Sequence, residues 1–307
     1  MHAELVVPGL FQGGTTERFP ALELLLARGR ITREARQSVA GWLQQGFGLD
    51  YLPAGALTLL ACGRDPGDAS WARADPVHLR LMREHVIVVP GEALDISREE
   101  ANALCEALNR HFPEMHVTAC EPRYWSAQIA ASGDAPALEA AGAPVLPPRD
   151  TAGLLNEIQM LLHAHPVNDA REARGEPTVN SLWLWGAGRA PRTASASWQS
   201  VSANDPVVLG AARLAGLRHR PLPRSALEWL DRSPEDGRHL AIVDTRGGDI
   251  SVLEQAWFNP LLAALRSGRI GMLTIHVPDA AEAVSCETIR GDLRRFWRRT
   301  KPIERYA

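Results

Sequence analysis

Residues 165–191 read HPVNDAREARGEPTVNSLWLWGAGRAP, and this stretch carries more information about the fold than any other part of the chain. Its central part, from Asn180 to Gly188, predicts a strand, because aliphatic and aromatic side chains suit a pleated surface. Gly186 and Gly188 then predict a tight turn or a close approach of the backbone to a ligand. The alternative is a buried strand with aromatic packing and a turn, with no ligand involved.

The same stretch resembles the archaeal-type, cofactor-independent phosphoglycerate mutases of the alkaline phosphatase superfamily. Those enzymes carry an HPVN-like helix end, an Arg, a Gly, and then an Asn-x-[Ile/Leu]-Trp-x-Trp-Gly-x-Gly run with a nearby Pro. Here the matching residues are His165 to Asn168, Arg171, Gly175, Asn180, Trp183, Trp185, Gly186, Gly188 and Pro191. Weaker similarity extends across most of the chain. It looks most like shortened bacterial relatives, described as regulatory proteins of a pathogenicity-factor gene cluster.

The composition limits the choice of partners. A chain of 307 residues can bury one large core or two modest ones. The net charge of −3 gives no whole-chain electrostatic argument for nucleic acid or an anionic membrane, and we expect neither as a partner. The C-terminal run is locally basic, from Arg294 to Lys301. We expect it to be the solvated face of a final helix over residues 288–299, with Phe296 and Trp297 on the apolar side.

The cysteines and the N-terminus indicate the compartment. Cys62, Cys105, Cys120 and Cys286 lie far apart and form no zinc-type motif. The first residues lack the features of a signal peptide, and no apolar run reaches the length of a membrane helix. These features predict a soluble, cytoplasmic protein with reduced thiols.

Alternating strands and helices predict an α/β fold with a mostly parallel sheet and helices on both faces. The resemblance implies an alkaline-phosphatase-like core that carries an inserted small α+β subdomain. We expect residues 1–76 to form the first part of the core and 179–307 the second. Residues 77–178 would form the insert with its connector and a helix. A helix is also expected over residues 32–45.

The resemblance implies a catalytic centre of two divalent metals and a Ser or Thr nucleophile, because two cations stabilise the attacking and leaving oxygens. The metal-binding Asp at the end of the first strand is replaced here by Pro8. Ala54 and Gly55 stand where a Ser nucleophile and a following Asp would be. Thr58 is out of register, and Thr15 and Thr16 are alternative hydroxyls in a loop.

The C-terminal half keeps only carboxylates. Asp244 and Asp249 follow a predicted strand without the expected His, and Ala280 follows Asp279 where another His would stand. We therefore expect no bound metal and assign no catalytic residue. Asp244, Asp249 and Asp279 are the candidates for a catalytic role. The alternative is a single Mg²⁺ or Mn²⁺ held by these carboxylates.

The best-preserved part of the resemblance faces the ligand. Arginines can hold a phosphate or carboxylate through paired donors, and Asn side chains can orient hydroxyls. The predicted ligand-binding residues are Asn168, Arg171, Arg174, Asn180, Trp183, Trp185 and Arg189. A metal site on His163, His165 and Asp169 is one alternative. In the other alternative, the block formed by residues 165–191 binds no ligand and only joins the insert to the core.

These observations leave three classes of function. The first is a catalytically degenerate, regulatory protein that binds a small anionic metabolite or a protein partner. The second is an active metal-dependent phosphomutase or phosphatase with a rebuilt site, and the third is a structural subunit of a complex. The missing ligands favour the first and the third over the second, and shared fold alone does not transfer activity. The Arg and Asn residues of the 165–191 stretch favour the first over the third.

Overall fold

A computed structural model of the chain describes residues 1–11, 17–35, 37–81, 86–129, 149–234, 236–243, 250–278 and 282–306. The described strands are β1 (His2–Val6), β2 (Arg30–Glu34), β3 (Trp71–Leu81), β4 (Val86–Pro90), β5 (Thr118–Glu121), β6 (Tyr124–Gln128), β7 (Ser181–Gly188), β8 (Ser200–Ser202), β9 (Arg218–Arg220), β10 (Arg238–Ile242), β11 (Met272–Val277) and β12 (Ala283–Ile289).

The described helices are α1 (Pro20–Arg28), α2 (Val39–Gly46), α3 (Ala54–Ala61), α4 (Arg98–His111), α5 (Arg149–His163), α6 (Pro166–Ala173), α7 (Pro206–Leu214), α8 (Ala226–Asp231), α9 (Ile250–Leu253) and α10 (Asn259–Ser267). Among the residues that the structure describes, none of these helices combines the length and hydropathy needed to cross a membrane.

The chain divides into two compact units. The core unit comprises Met1–Gly48 and Ala194–Ala307, and the insert unit comprises Leu49–Thr193. The boundaries at 48/49 and 193/194 differ from those expected from the sequence. The second boundary differs because β7 pairs antiparallel with β3 and so belongs to the insert unit, and the first differs because α3 packs against β3.

The core unit contains the parallel sheet that the sequence predicts. Its seven described strands run in the order β2-β12-β11-β1-β10-β8-β9. The central strand β1 is parallel to both β10 and β11, whereas β12 is antiparallel to β11 and to β2. The structure therefore confirms the α/β class, with an antiparallel pair of strands at one edge.

Both faces of this sheet are covered. Side chains alternate between faces along a strand, and Leu5 belongs to an apolar cluster that contains residues of α1, α8 and α10, with Trp229 and Phe258 among its members. Glu4 points to the opposite face, where Trp198 donates to its carboxylate at 2.9 Å. Two-sided cover explains why the residues of β1, β10 and β11 are almost all buried.

The insert unit is built on the long strand β3, which pairs antiparallel with β4, β6 and β7. Its core contains Trp125 and Leu182 from the strands together with Leu104 from α4 and Ile158 from α5. A capping box starts α4, because Ser97 accepts from the Glu100 amide and Glu100 accepts from the Ser97 amide. This antiparallel sheet with helices is the expected α+β subdomain.

One predicted helix is partly wrong and another is wrong. Residues 32–45 contain the end of edge strand β2 and then α2, which starts after Ser38, because β2 pairs with β12. The helix expected over residues 288–299 does not form, because β12 pairs with β11 as far as Ile289 and with β2 as far as Glu287. A short 3₁₀ turn follows, and Phe296 and Trp297 are 79% and 66% exposed rather than buried on an apolar face.

Close packing joins α3 to β7 within the insert unit. Gly186 has a φ of +58°, and a Cβ at this position would lie 2.5 Å from the Cβ of Ala54. A side chain larger than hydrogen would therefore be strained in its backbone and would also collide with the helix.

We expect Gly186→Ala to destabilise the protein more than Gly175→Ala. Gly175 has a similar φ of +74° but nothing within 4 Å of its Cβ position, so it isolates the backbone cost. That shared cost is about 1–2 kcal/mol, and overpacking adds about 1–3 kcal/mol at Gly186 alone. Urea unfolding measures both variants, and equal losses of stability would contradict the close packing.

Candidate functional site

The predicted metal-binding residues follow the carboxyl ends of three neighbouring strands in the core sheet. The carboxyl ends of β1, β10 and β11 lie side by side, since Val243 donates to the Val6 carbonyl and Val7 donates to the His276 carbonyl, both at 2.9 Å. Pro8 follows β1 at this edge and supplies no side-chain ligand. Asp244, Asp249 and Asp279 lie outside the described residues, as do Thr15, Thr16 and Ala280.

The predicted nucleophile position is filled by close packing. Ala54 and Gly55 are the first two residues of α3 and are buried. A Cβ on Gly55 would lie 2.4 Å from the carbonyl carbon of Ala72, so α3 rests directly on β3. Thr58 is fully buried in the same helix, and its hydroxyl accepts from Arg73 at 3.4 Å. The donors described at these positions do not fit the two-metal centre that the resemblance implies.

The predicted ligand-binding asparagines bond to the backbone. Asn168 donates to the carbonyls of Leu162 and Val179 at 2.7 and 2.8 Å, and it accepts from the Val179 amide. Asn180 makes a similar pair of bonds with the backbone of Leu79. These bonds fix the chain on either side of the turn between α6 and β7.

Arg171 lies at the centre of this arrangement with 0% of its side chain exposed. It donates to the carbonyl of Pro177 and to a carboxylate oxygen of Glu100, each at 2.8 Å, and also to the Leu94 carbonyl. Arg174, which is 46% exposed, donates to the other Glu100 oxygen at 2.8 Å. The Glu100 carboxylate, near the start of α4, thus binds both Arg171 in α6 and Arg174 just after this helix.

Trp185, the second tryptophan of the WLWG run, also has a hydrogen-bond partner within the protein. Trp185 donates to Asp75 at 2.7 Å. Asp75 also accepts from Arg73, whose guanidinium lies 5.2 Å from the Trp185 ring centroid and 4.6 Å from that of Tyr124. The sequence analysis missed Arg73 and Asp75. Their signal was a charged pair at alternate positions of a strand, where two charges on the same face are unusual unless they are paired.

The seven predicted ligand residues thus separate into two groups. Five of them are bonded within the protein, which favours the structural alternative for them: the buried Asn168, Arg171 and Trp185, the half-buried Asn180 and the partly exposed Arg174. The other two are Trp183, which is half-buried, and Arg189, which is exposed. A ligand contact by this block stays a prediction. His165 caps α6, and no group of His, Cys, Asp and Glu within the described part of the chain is arranged to hold a metal.

The core unit has an arginine-rich cavity that the sequence did not indicate. It encloses about 320 Å³ beside β9 and the end of α8, and it is lined by Ser200, Arg218, His219, Arg220, Asp231, Arg232, Ser233 and Pro234. Asp231 is paired with Arg269, outside the lining. The lining therefore carries more positive than negative charge.

Arg220 is the half-buried cation of this cavity. Within the described residues its guanidinium donates to neutral oxygens, among them the Arg232 carbonyl at 2.6 Å and the Ser233 hydroxyl at 2.9 Å. Burial, and then the charge of Arg232, lower the pKa of Arg220. Both causes disfavour the charged form, so a bound anion would stabilise it.

Glu4 is a further buried charged group that the sequence patterns did not single out. This carboxylate is 2% exposed on the central strand. It accepts from Arg238 at 2.6 Å and from Trp198 at 2.9 Å, and His276 lies 3.7 Å away. Burial alone would raise the pKa of Glu4, but hydrogen bonds from His276, Arg238 and Trp198 outweigh it and lower the pKa to about 2. The sequence signal was a charged residue inside an apolar strand.

Comparison with known proteins adds a partial match. No protein-family profile matches the chain. A stretch of 72 residues is 36% identical to a probable 2,3-bisphosphoglycerate-independent phosphoglycerate mutase of Geobacter sulfurreducens, covering 18% of this chain and 18% of that protein. The match thus spans less than a fifth of the relative's length. It supports a relation to that family.

Two solved structures resemble the chain over most of its length. The PH0037 protein from Pyrococcus horikoshii aligns with a TM-score of 0.57 and 16% identity, covering 94% of this chain and 87% of that one. The cofactor-independent phosphoglycerate mutase from Thermoplasma acidophilum aligns with a TM-score of 0.48 and 18% identity, covering 94% and 90%. The first likeness shows a shared fold.

We expect Arg171→Met to cost about 3–5 kcal/mol of stability, because removing one partner of a buried ion pair leaves the other uncompensated. Arg174→Met is the matched control, since it removes a partly exposed partner of the same carboxylate. It should cost about 0–1 kcal/mol. The two variants are compared by urea unfolding, and a small effect at Arg171 would contradict its role as the centre of the block.

Glu4 should make stability depend on pH. Its pKa is lowered from 4.5 to about 2, so its contribution is complete above about pH 5 and declines as the pH falls towards 2. Relative to Glu4→Gln, the natural protein should be more stable by up to about 3 kcal/mol at neutral pH. Glu287→Gln is the control, since it removes only an exposed pair with Arg30. Urea unfolding at several pH values tests this, and a constant difference would argue against it.

Proposed function

We propose that this chain is a catalytically degenerate relative of the cofactor-independent phosphoglycerate mutases. In this proposal it acts in the bacterial cytoplasm as a regulatory protein and binds a small phosphorylated or carboxylate metabolite. The observation that carries the proposal is the replacement of ligand and nucleophile side chains by Pro8, Ala54 and Gly55. Proline, alanine and glycine can neither bind a metal through a side chain nor attack phosphorus.

The packing around α3 supports this interpretation. Gly55 leaves no room for a side chain because β3 lies against it, and Ala54 is buried in contact with Gly186 of β7. A nucleophile needs access to its substrate and a neighbouring base or cation to activate it. The buried end of α3 offers neither to a residue at these two positions.

The arginine-rich cavity supports the binding of an anion. Arg220 is held in place by four oxygens, from Ser202, Trp229, Arg232 and Ser233, so it is oriented before a ligand arrives. Arg218 and His219 line the same cavity and are exposed. A volume of about 320 Å³ is within the usual size of small-molecule sites. Phosphate and carboxylate both match the paired donors of a guanidinium.

The competing function is a metal-dependent phosphomutase or phosphatase with a rebuilt site. The adjacency of the ends of β1, β10 and β11 favours it, because Asp244 and Asp279 follow two of these strands in sequence. Carboxylates are suitable ligands for Mg²⁺ and Mn²⁺. The two functions make opposite predictions about turnover.

We expect the purified chain to show no phosphoglycerate mutase or phosphatase turnover with Mn²⁺ or Mg²⁺. We also expect inorganic phosphate to bind, measured by calorimetry, with Arg218→Gln weakening binding about tenfold through the loss of one charged hydrogen bond. Arg266→Gln, an exposed arginine of α10, is the control. Arg189→Gln tests the site predicted from the sequence.

The outcomes separate the alternatives. Turnover that is lost in Asp244→Ala would replace the proposal with the rebuilt enzyme. Phosphate binding that responds to Arg189→Gln and not to Arg218→Gln would move the ligand to the predicted block. Absence of both turnover and phosphate binding would refute the anion-binding role and leave a protein partner or a structural role.

A further inference from the structure

The fold brings together two cysteines that are distant in sequence. Cys62 ends α3, where its amide donates to the Thr58 carbonyl, and Cys120 lies in β5. Their side chains share a hydrogen bond. A second contact links the same two segments, since Arg64 donates to the Thr118 hydroxyl at 3.4 Å. The pair lies within the insert unit.

The surroundings of the two thiols are cationic. Arg98 donates to the carbonyls of Ala119 and Cys120, both at 3.2 Å, and Arg64 lies two residues beyond Cys62. The hydrogen bond from Cys120 lowers the pKa of Cys62 against the opposing effects of burial and Glu121, and both arginines add to the lowering. The same hydrogen bond and burial raise the pKa of Cys120.

The pair therefore has unequal members. Cys62 is exposed, whereas Cys120 is half-buried, so Cys62 is the thiol that a small oxidant in solvent reaches more readily. A thiolate is the reactive form of cysteine towards peroxides and disulfides. An exposed thiolate beside a second thiol is the arrangement found in reversible oxidation sites.

The remaining cysteines provide a contrast within the same molecule. Cys105 and Cys286 are buried, and burial raises their pKa to about 12 and about 11. They should be inert under conditions in which Cys62 reacts. The Cys105 thiol also bonds to the backbone at Ala119, so the experiment must separate it from the pair.

We propose that Cys62 and Cys120 form a peroxide-oxidation site in which Cys62 is the attacking thiol and Cys120 the resolving thiol. The Cys62 thiolate attacks one oxygen of hydrogen peroxide, the O–O bond breaks, and hydroxide leaves with Cys62 as a sulfenic acid. Cys120 then attacks this sulfur, water leaves with the Cys120 proton, and a disulfide forms. The peroxide is reduced by two electrons, and an external thiol restores both cysteines.

The first test treats the full chain with hydrogen peroxide and maps disulfides by mass spectrometry without reduction. We expect a Cys62–Cys120 disulfide that dithiothreitol reverses, with Cys105 and Cys286 still reduced. A disulfide joining Cys105 to Cys120, or equal oxidation of all four cysteines, would overturn the proposal. Persistence of all four thiols would overturn it as well.

Variants then assign the two roles. Cys120→Ser should leave a sulfenic acid on Cys62 that dimedone traps, whereas Cys62→Ser should abolish oxidation. Cys105→Ser and Cys286→Ser are matched controls and should behave like the natural protein. In the unmodified chain, iodoacetamide should alkylate Cys62 at least about tenfold faster than the buried cysteines, because thiolate fraction and exposure set the rate. Equal alkylation rates would refute the assignment even if a variant failed to fold.

Discussion

A charge that is removed from water needs partners, and this requirement organises both units of the protein. In the core unit, Glu4 draws Arg238, Trp198 and His276 together from three separate parts of the chain. In the insert unit, Arg171 does the same with Glu100 and two backbone carbonyls. Removing a single partner from such a group costs far more than removing an exposed ion pair. The buried charges therefore require the segments that carry their partners to pack together in the folded chain.

The same requirement explains why the HPVN and WLWG residues have structural partners in the fold. Their side chains look suited to a phosphorylated ligand when the sequence is considered alone, because Arg and Asn bind anions and hydroxyls. In the fold, Asn168 and Asn180 bond to backbone groups, and Trp185 bonds to Asp75. Preservation of this block is thus compatible with loss of chemistry, since the block holds α6, β7 and α4 in place.

The sequence predicted the parts of the fold that local patterns determine. The parallel core and the strand that begins at Ser181 follow from hydrophobic periodicity and residue type, although β7 continues through Gly186 to Gly188, where a turn was expected. The sequence patterns failed where pairing between distant segments decides the secondary structure. Strand β12 occupies part of the expected final helix, and β2 occupies the start of the helix expected over residues 32–45. The cavity around Arg220 and the thiol pair were invisible for the same reason, since their members come from separate elements that only the folded chain brings together.

The contact between Ala54 and Gly186 limits how this chain could change in evolution. A substitution of Ala54 by serine would place a hydroxyl at a buried helix end, in contact with β7 rather than with a substrate. Recovery of a nucleophile there would require α3 to move away from the sheet, which in turn needs changes in β3 and β7. If the chain has lost an active site, as proposed above, packing of this kind makes that loss hard to reverse, and the scaffold can be kept for another purpose.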